Sequence, residues 1–218
     1  MKKLLVLIVP LCFLVFGCDD TWRMDDQLTR AICDSNPFIY PCPEIFDGPT
    51  VRSFTEIHAD GYGVISLAHV DQCENVQFLD VPNNPALWSL HPIKNFSSGG
   101  WTLMTKLWAI NVEGDNVSDL SSLDVVRGTL RWLNLKGNPV ETLQPVFKML
   151  NLEHLNISDT PITSFSILES CSYINPTLIV WDTPGFNRGM GPYYTDLACQ
   201  TFDILEGRGW SIQENICE

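Results

Sequence analysis

LRWLNLKGNPVETL, residues 130–143, is the stretch that decides the fold, because its spacing of apolar residues recurs on both sides. LWAINVEGDNVSDL begins at residue 107 and LEHLNISDTPITSF begins at residue 152, so the three copies start 23 and 22 residues apart. Self-similarity at a fixed period of this length is the sequence signature of a solenoid, in which each repeat forms one coil. The alternating segment at the start of each copy predicts a short strand whose alternate side chains are buried.

The spacing LxxLxLxxN, followed by two further apolar positions, resembles the leucine-rich repeat, and the central copy fills every position, including Asn138. The resemblance is clear over residues 107–183. It implies an α/β solenoid with a short parallel sheet on the concave face, an irregular or short-helical convex side and disulfide-bearing caps. It also implies that the asparagine hydrogen-bonds the backbone of neighbouring coils. Other copies carry Asp115, Thr160 and Thr183 at this position, so we expect a weaker ladder toward the C-terminus.

The rest of the chain divides around this repeat. We predict a signal peptide at residues 1–17, lipid attachment, tether and N-terminal cap at 18–50, the solenoid at 51–183, and a C-terminal cap of one helix and a final strand at 184–218. Short apolar runs bounded by Gly, Pro and Asn predict further strands outside the three clear copies, so we expect six or seven strands in all. These runs lie at residues 63–67, 77–81, 178–181 and 210–212.

The N-terminus has the layout of an export signal, in which two lysines precede an apolar run too short to span a membrane. The run ends in LVFGC, residues 14–18, which resembles the box of bacterial lipoproteins. That resemblance implies that acyl chains on Cys18 anchor the protein to a membrane of the bacterial cell envelope, facing the periplasm or the cell surface. Phe16 is bulkier than the box prefers, so an ordinary secretory signal is the alternative. The choice between inner membrane, outer membrane and surface stays open.

Six of the eight cysteines follow residue 18, and an even number in an exported chain favours disulfides. The absence of a CxxC motif gives no support to a zinc site or a redox motif. Three cysteines fall toward each end of the solenoid. Coils stack about 4.8 Å apart, so cysteines four coils apart lie well beyond the roughly 7 Å that a disulfide spans. Either the N-terminal tail runs back along the solenoid or one cysteine at each end stays a thiol. We favour Cys33–Cys42 and Cys199–Cys217, leaving Cys73 and Cys171.

The charge of the chain excludes one class of partner. The sequence has 13 Lys and Arg against 26 Asp and Glu, a formal charge of −13. Nucleic acid binding needs a basic patch to neutralise phosphates, so we expect no nucleic acid partner.

The strand residues that do not point inward predict a concave binding face. One column stacks asparagines, and another places a tryptophan beside a histidine, with an arginine and a glutamate next to them. Trp and Arg are enriched in interface hot spots. The alternative is a solvated strand face with an amide ladder and an ion pair of little net value. The partner-binding residues that we predict are Trp108, Asn111, Arg131, Trp132, Asn134, Glu153, His154 and Asn156.

No catalytic, metal-binding or cofactor-binding set is predicted. The four histidines share no metal-ligand spacing, and the sequence contains no HExxH, GxSxG or P-loop motif. A hydrolase with its site in the loops at 85–100 or 184–194 would need a histidine and carboxylate cluster there, and only His91 is present. We therefore predict a lipid-anchored, non-enzymatic envelope protein that binds a protein or glycan partner. The alternative is a structural envelope lipoprotein without a specific ligand.

Overall fold

The computed structural model describes residues 24–36, 48–94, 104–171, 176–179 and 192–213. The predicted signal peptide, the lipidation site Cys18 and Thr183 lie outside these residues, as do Cys42 and Cys217 of the two predicted disulfides.

Within the described residues, the main feature is one parallel sheet in which the strands follow chain order. Each strand has three residues and pairs in register with the strand before it. This one-coil-after-another order is that of a solenoid, so the sheet confirms the predicted architecture. The strands are β1 Glu56–His58, β2 Phe78–Asp80, β3 Ala109–Asn111, β4 Trp132–Asn134, β5 His154–Asn156, β6 Thr177–Ile179 and β7 Ser211–Gln213.

The core is a column of aliphatic side chains that runs along the solenoid axis. The central residue of each strand points inward, and its neighbours in sequence point outward, as strand pleating requires. Each coil buries its apolar side only against adjacent coils, so the core is continuous rather than confined to one layer. The central residues of the first six strands, each 1% exposed or less, are Ile57, Leu79, Ile110, Leu133, Leu155 and Leu178.

Opposite the sheet, the chain returns through short 3-10 turns, which confirms the predicted short-helical convex side. Their buried residues close the core from behind; Leu123 and Val146, for example, are fully buried. The turns span Val70–Gln72, His91–Lys94, Ser121–Val126, Val146–Lys148 and Ser166–Ser170.

Helices cover both ends of the solenoid. At the N-terminal end lie α1, Asp26–Ser35, and α2, Gly48–Ser53. Asp25 begins α1 by accepting hydrogen bonds from the backbone N–H groups of the first turn, at 2.9 and 3.2 Å. At the C-terminal end, α3 spans Pro192–Gly207 and packs Phe202 against Phe165, with 5.5 Å between the ring centroids. Capping helices of this kind shield the apolar ends of a repeat array.

The first coil differs from the prediction. We predicted a strand at residues 63–67, but no strand forms there, and β1 begins seven residues earlier at Glu56. The 22-residue distance from Ile57 to Leu79 equals that of a standard coil. Val64 instead fills the first buried position after the turn, and its N–H donates to Asn84 Oδ1 at 2.9 Å.

A left-handed residue recurs in the turn of successive coils, one position before the asparagine position of each coil. The turn reverses the backbone tightly enough to require a positive φ, which Gly, Asn and Asp tolerate best. At Gly114 the space is also limited, because a Cβ there would lie 3.0 Å from Asn83 Oδ1. The φ values are 68° at Gly61, 58° at Asn83, 71° at Gly114, 72° at Gly137 and 55° at Asp159.

Candidate functional site

The concave face is built from the outward residues of the strands, which the register aligns into columns. Phe78, Ala109 and Trp132 occupy one column, followed by His154. Trp108 and Arg131 lie directly before β3 and β4, alongside this column. Parallel pairing at about 4.8 Å per strand brings side chains from different coils into contact.

The most prominent feature of this face is an exposed aromatic cluster, Phe78, Trp108 and Trp132. The ring of Phe78 contacts both of the others: it is stacked on Trp108 with 6.4 Å between centroids and edge-to-face with Trp132 at 6.1 Å. Trp108 is 42% exposed, and the other two rings are half-buried. A large aromatic surface that stays in water in the free chain is the kind of patch that a partner buries.

Two of the predicted residues at the margin of the cluster form an ion pair. Arg131 donates to Glu153 Oε1 at 2.8 Å, and both side chains are exposed. His154 is exposed beside Trp132 on the next strand. The structure thus brings five of the predicted residues onto one surface: Trp108, Arg131, Trp132, Glu153 and His154.

The side chains of the asparagine column stabilise the turns that follow the strands, a structural role that the sequence pattern did not reveal. In Asn111, Asn134 and Asn156, Oδ1 accepts the backbone N–H two residues later, at 3.2, 3.2 and 3.1 Å. This local turn is a common use of an asparagine side chain. Asn111 and Asn134 also donate Nδ2 to Asp80 and Glu113, and Asn134 is only 6% exposed. The column therefore shapes the turn and orients neighbouring carboxylates, and Asn134 offers a partner very little surface.

Sequence reasoning missed the N-terminal part of this face. The two ring nitrogens of His58 lie 2.9 Å from Asp80 Oδ2 and 3.1 Å from Glu56 Oε2, where a ring N–H donates to the carboxylate oxygen. The ring also contacts Phe78 edge-to-face, with 5.5 Å between the centroids. The hydrogen bond with Asp80 is the main cause that raises the pKa of His58, against the opposing effect of burial. Phe78 and Asp80 could have been found, since residues 77–81 were already predicted to form a strand. His58 and Glu56 could not, because β1 was expected elsewhere.

The described residues provide no constellation for metal chemistry, since no group of three His, Cys, Asp or Glu side chains is placed to hold an ion. Cys73 lies near Asp71 on the convex side, and burial raises the pKa of its thiol to about 12. A thiol so reluctant to ionise is a poor nucleophile. None of the helices in the part of the chain that the structure describes has the length and apolar character to cross a membrane.

No protein-family model and no curated protein matches the sequence. Solved structures do match the fold. An internalin (inlF) from Listeria monocytogenes is 18% identical with a TM-score of 0.59, over 73% of this chain and 44% of that one. Internalin C2 (inlC2) from the same organism is 17% identical with a TM-score of 0.52, over 72% of this chain and 74% of that one. This chain thus spans less than half of the first of these proteins. At such identities the similarity is one of fold.

Proposed function

From the leucine-rich repeat fold of this chain, we propose that it is a binding protein of the bacterial cell envelope whose concave face captures a protein partner without catalysing a reaction. The observation that carries the proposal is the exposed aromatic cluster Phe78, Trp108 and Trp132 on that face. Interfaces owe most of their affinity to a few such anchors, with Trp, Tyr and Arg enriched among them.

The surroundings of the cluster support this function. The pairs Arg131–Glu153 and Lys136–Glu113, with N–O distances of 2.8 and 3.0 Å, flank the aromatic surface. Apolar anchors inside a polar rim are the usual anatomy of a protein–protein interface. Each pair contributes little to stability because it is exposed. Its charges are therefore available for orientation and specificity at a partner surface.

The binding face can be tested by capture from an envelope extract. We expect the double variant Trp132→Ala, Arg131→Ala to lose at least thirtyfold in affinity for the captured partner, since hot-spot truncations cost about 2 kcal/mol or more each. The measurement is a pull-down with the mature chain, identification of the partner by mass spectrometry, and a Kd for each variant. Thermal unfolding should change little, because Arg131 is exposed and Trp132 is only half-buried.

Phe147→Ala is the matched control, because Phe147 is an aromatic residue of the convex side with 39% of its surface exposed. It should capture the partner as the unsubstituted chain does. Unchanged capture by the concave double variant would refute the proposed face. A glycan partner would be recognised by retention of binding after protease treatment of the extract.

A structural envelope lipoprotein without a ligand is the second candidate. It is favoured by the asparagine column, whose amides serve the chain's own turns. This function predicts no saturable partner and a loss of envelope integrity when the protein is removed.

The proposed envelope location depends on a lipid anchor at Cys18. Separately, disulfides Cys33–Cys42 and Cys199–Cys217 would pin the two caps. The support for the anchor is the lipoprotein-like sequence LVFGC at residues 14–18. The support for the pinned caps is that Cys33 lies on α1 and Cys199 on α3, one at each end of the solenoid. Disulfides there would fix segments with little core of their own.

Replacing Cys18 with alanine tests the anchor. We expect the variant to move from the membrane fraction to the soluble fraction, because it lacks the thiol that would carry the acyl chains. Cell fractionation followed by immunoblotting measures this, with Cys73→Ala as a cysteine-removal control that should remain in the membrane fraction. Retention of the Cys18 variant in the membrane fraction would contradict lipidation at this residue.

A further inference from the structure

We propose that the N-terminal half of the concave face binds an arginine- or lysine-bearing segment of the protein partner, with the basic side chain held between the aromatic cluster and nearby carboxylates. This inference rests on the proposed function and specifies the chemistry of its partner.

The charge on the concave face of the first three coils indicates that the partner segment is positively charged. Their concave stretches are residues 55–60, 77–82 and 108–113, and together they contain four carboxylates and no Lys or Arg. Glu113 is neutralised by Lys136 of the fourth coil, at 3.0 Å. Two of the remaining three carboxylates contact His58, and Asp60 and Asp80 accept hydrogen bonds from the neutral amides of Asn83 and Asn111. His58 is thus the one titratable cation among these contacts, so this end of the face is negative whether or not the imidazole is protonated. The three carboxylates are Glu56, Asp60 and Asp80.

Cations near this end lie outside the concave stretches. Arg52, on α2, is paired with Glu74 at 2.9 Å, and Lys106 donates to Asn75 Oδ1 at 2.6 Å, two residues before Trp108. Both lie where the chain enters the strands. A basic partner side chain therefore meets no competing Lys or Arg on the strands of the first three coils.

Aromatic rings beside carboxylates provide two attractions for one cation. The negative face of a Trp or Phe ring attracts a guanidinium or ammonium group, and a carboxylate adds a charge-assisted hydrogen bond. An aromatic ring and a carboxylate occur together in β2, because Phe78 and Asp80 are its two outward residues. Glu56 has 60% of its side chain exposed, so it can bond a partner while still contacting His58.

The same charges disfavour other partners. An anionic lipid headgroup or a nucleic acid would meet three carboxylates and the net charge of −13. A neutral glycan could stack on Trp108, but its binding would be insensitive to removal of the carboxylates.

The test uses the mature chain and two fluorescein-labelled peptides, (Arg-Gly)4 and (Glu-Gly)4, with fluorescence anisotropy as the readout. We expect saturable binding of the basic peptide only, weakened about tenfold by Trp108→Ala and about tenfold by the double variant Glu56→Gln, Asp60→Asn. The control Glu141→Gln, Asp203→Asn removes the same charge at exposed positions elsewhere and should bind as the unsubstituted chain does.

Competition with the captured partner separates the two proposals. If (Arg-Gly)4 displaces the partner and the carboxylate variant loses it, both stand. A second outcome is capture that needs Trp132 but is unaffected by the basic peptide and by the carboxylate substitutions. That result would support the concave face as the binding site and refute a basic partner segment. Equal binding of both peptides, or equal loss in the control, also overturns the basic partner. Unchanged capture by the double variant Trp132→Ala, Arg131→Ala would refute the concave face as the binding site.

Discussion

Replacing Asn138 with alanine is expected to lower the free energy of unfolding by about 4 kcal/mol, among the largest losses for a single substitution in this chain. The side chain of Asn138 is 1% exposed. Its Nδ2 donates to the carbonyls of Val112, Leu135 and Lys136, and its Oδ1 accepts the N–H of Val117 at 2.9 Å. Alanine would leave the Val117 N–H buried without its acceptor, at about 1–3 kcal/mol. It would also remove the side-chain bonds to the three carbonyls, each of which keeps a backbone donor, at about 0.5–1.5 kcal/mol per bond.

The measurement is urea unfolding followed by circular dichroism, with the m-value checked for two-state behaviour. Asn116→Ala is the control, because its side chain is exposed, and it should change stability by less than about 0.5 kcal/mol. A loss below about 1 kcal/mol in the Asn138 variant would mean that water replaces these hydrogen bonds. The asparagine would then not be holding adjacent coils together.

Coils three to five were predictable because each position of the repeat has one structural role that only one type of residue can fill. In the central copy, Leu133 and Leu135 must be apolar to fill the core, and Asn138 must be an amide to donate and accept at once. The first coil escaped prediction because Ile57 is the only apolar residue of β1, and its neighbours Glu56 and His58 serve the concave surface. A three-residue strand with one inward side chain leaves almost no periodic signal.

The candidate site was predictable in its aromatic part but not in its polar part. Trp108 and Trp132 follow from counting outward positions in a known repeat. The duty of Asn134 depends instead on the exact turn that follows β4, where Oδ1 reaches the N–H of Lys136 at 3.2 Å. The clamp of His58 between two carboxylates depends on register between β1 and β2, which periodicity does not supply.

The ladder position itself varies along the chain, and the hydrogen bonds vary with it. Asn84 Nδ2 donates to the carbonyls of Ala59, Val81 and Pro82. Thr160 has a single donor and makes one such bond, to Ile157 at 2.6 Å. The described part of the ladder therefore weakens toward the C-terminus, as expected. Asp115 is the exception that a weakening gradient does not explain.

Asp115 places a carboxyl group where the neighbouring coils place an amide. Its Oδ1 accepts the N–H of Asn84 at 2.6 Å, but its Oδ2 is buried with no hydrogen-bond partner among the described residues. A charged oxygen in this position lacks the donors that water would provide, so burial raises the pKa of Asp115 to about 8. The protonated form instead has an O–H that can donate, as the amide of Asn138 does.

Replacing Asp115 with asparagine is therefore expected to stabilise the protein, by about 3 kcal/mol at pH 8, since an amide donates without binding a proton. The folded-state pKa of about 8 lies above the ordinary 3.8, so between these values the folded chain binds more protons than the unfolded chain. The contribution of Asp115 to the stability of the unsubstituted protein then falls as pH rises from about 4 to about 8. The advantage of the variant should be near zero at pH 4, grow through this window and stay constant above it.

Urea unfolding at pH 4.5, 6 and 8 measures the difference between the two proteins, in which all other titrating groups cancel. Asp203→Asn, at an exposed position of α3, removes the same charge and is the control. A constant difference for the Asp115 variant would show that its carboxyl group is ionised and solvated in the folded chain. A difference that grows with pH would instead show that one ladder residue costs the solenoid stability near neutral pH, in the coil whose Trp108 and Asn111 form the centre of the concave face.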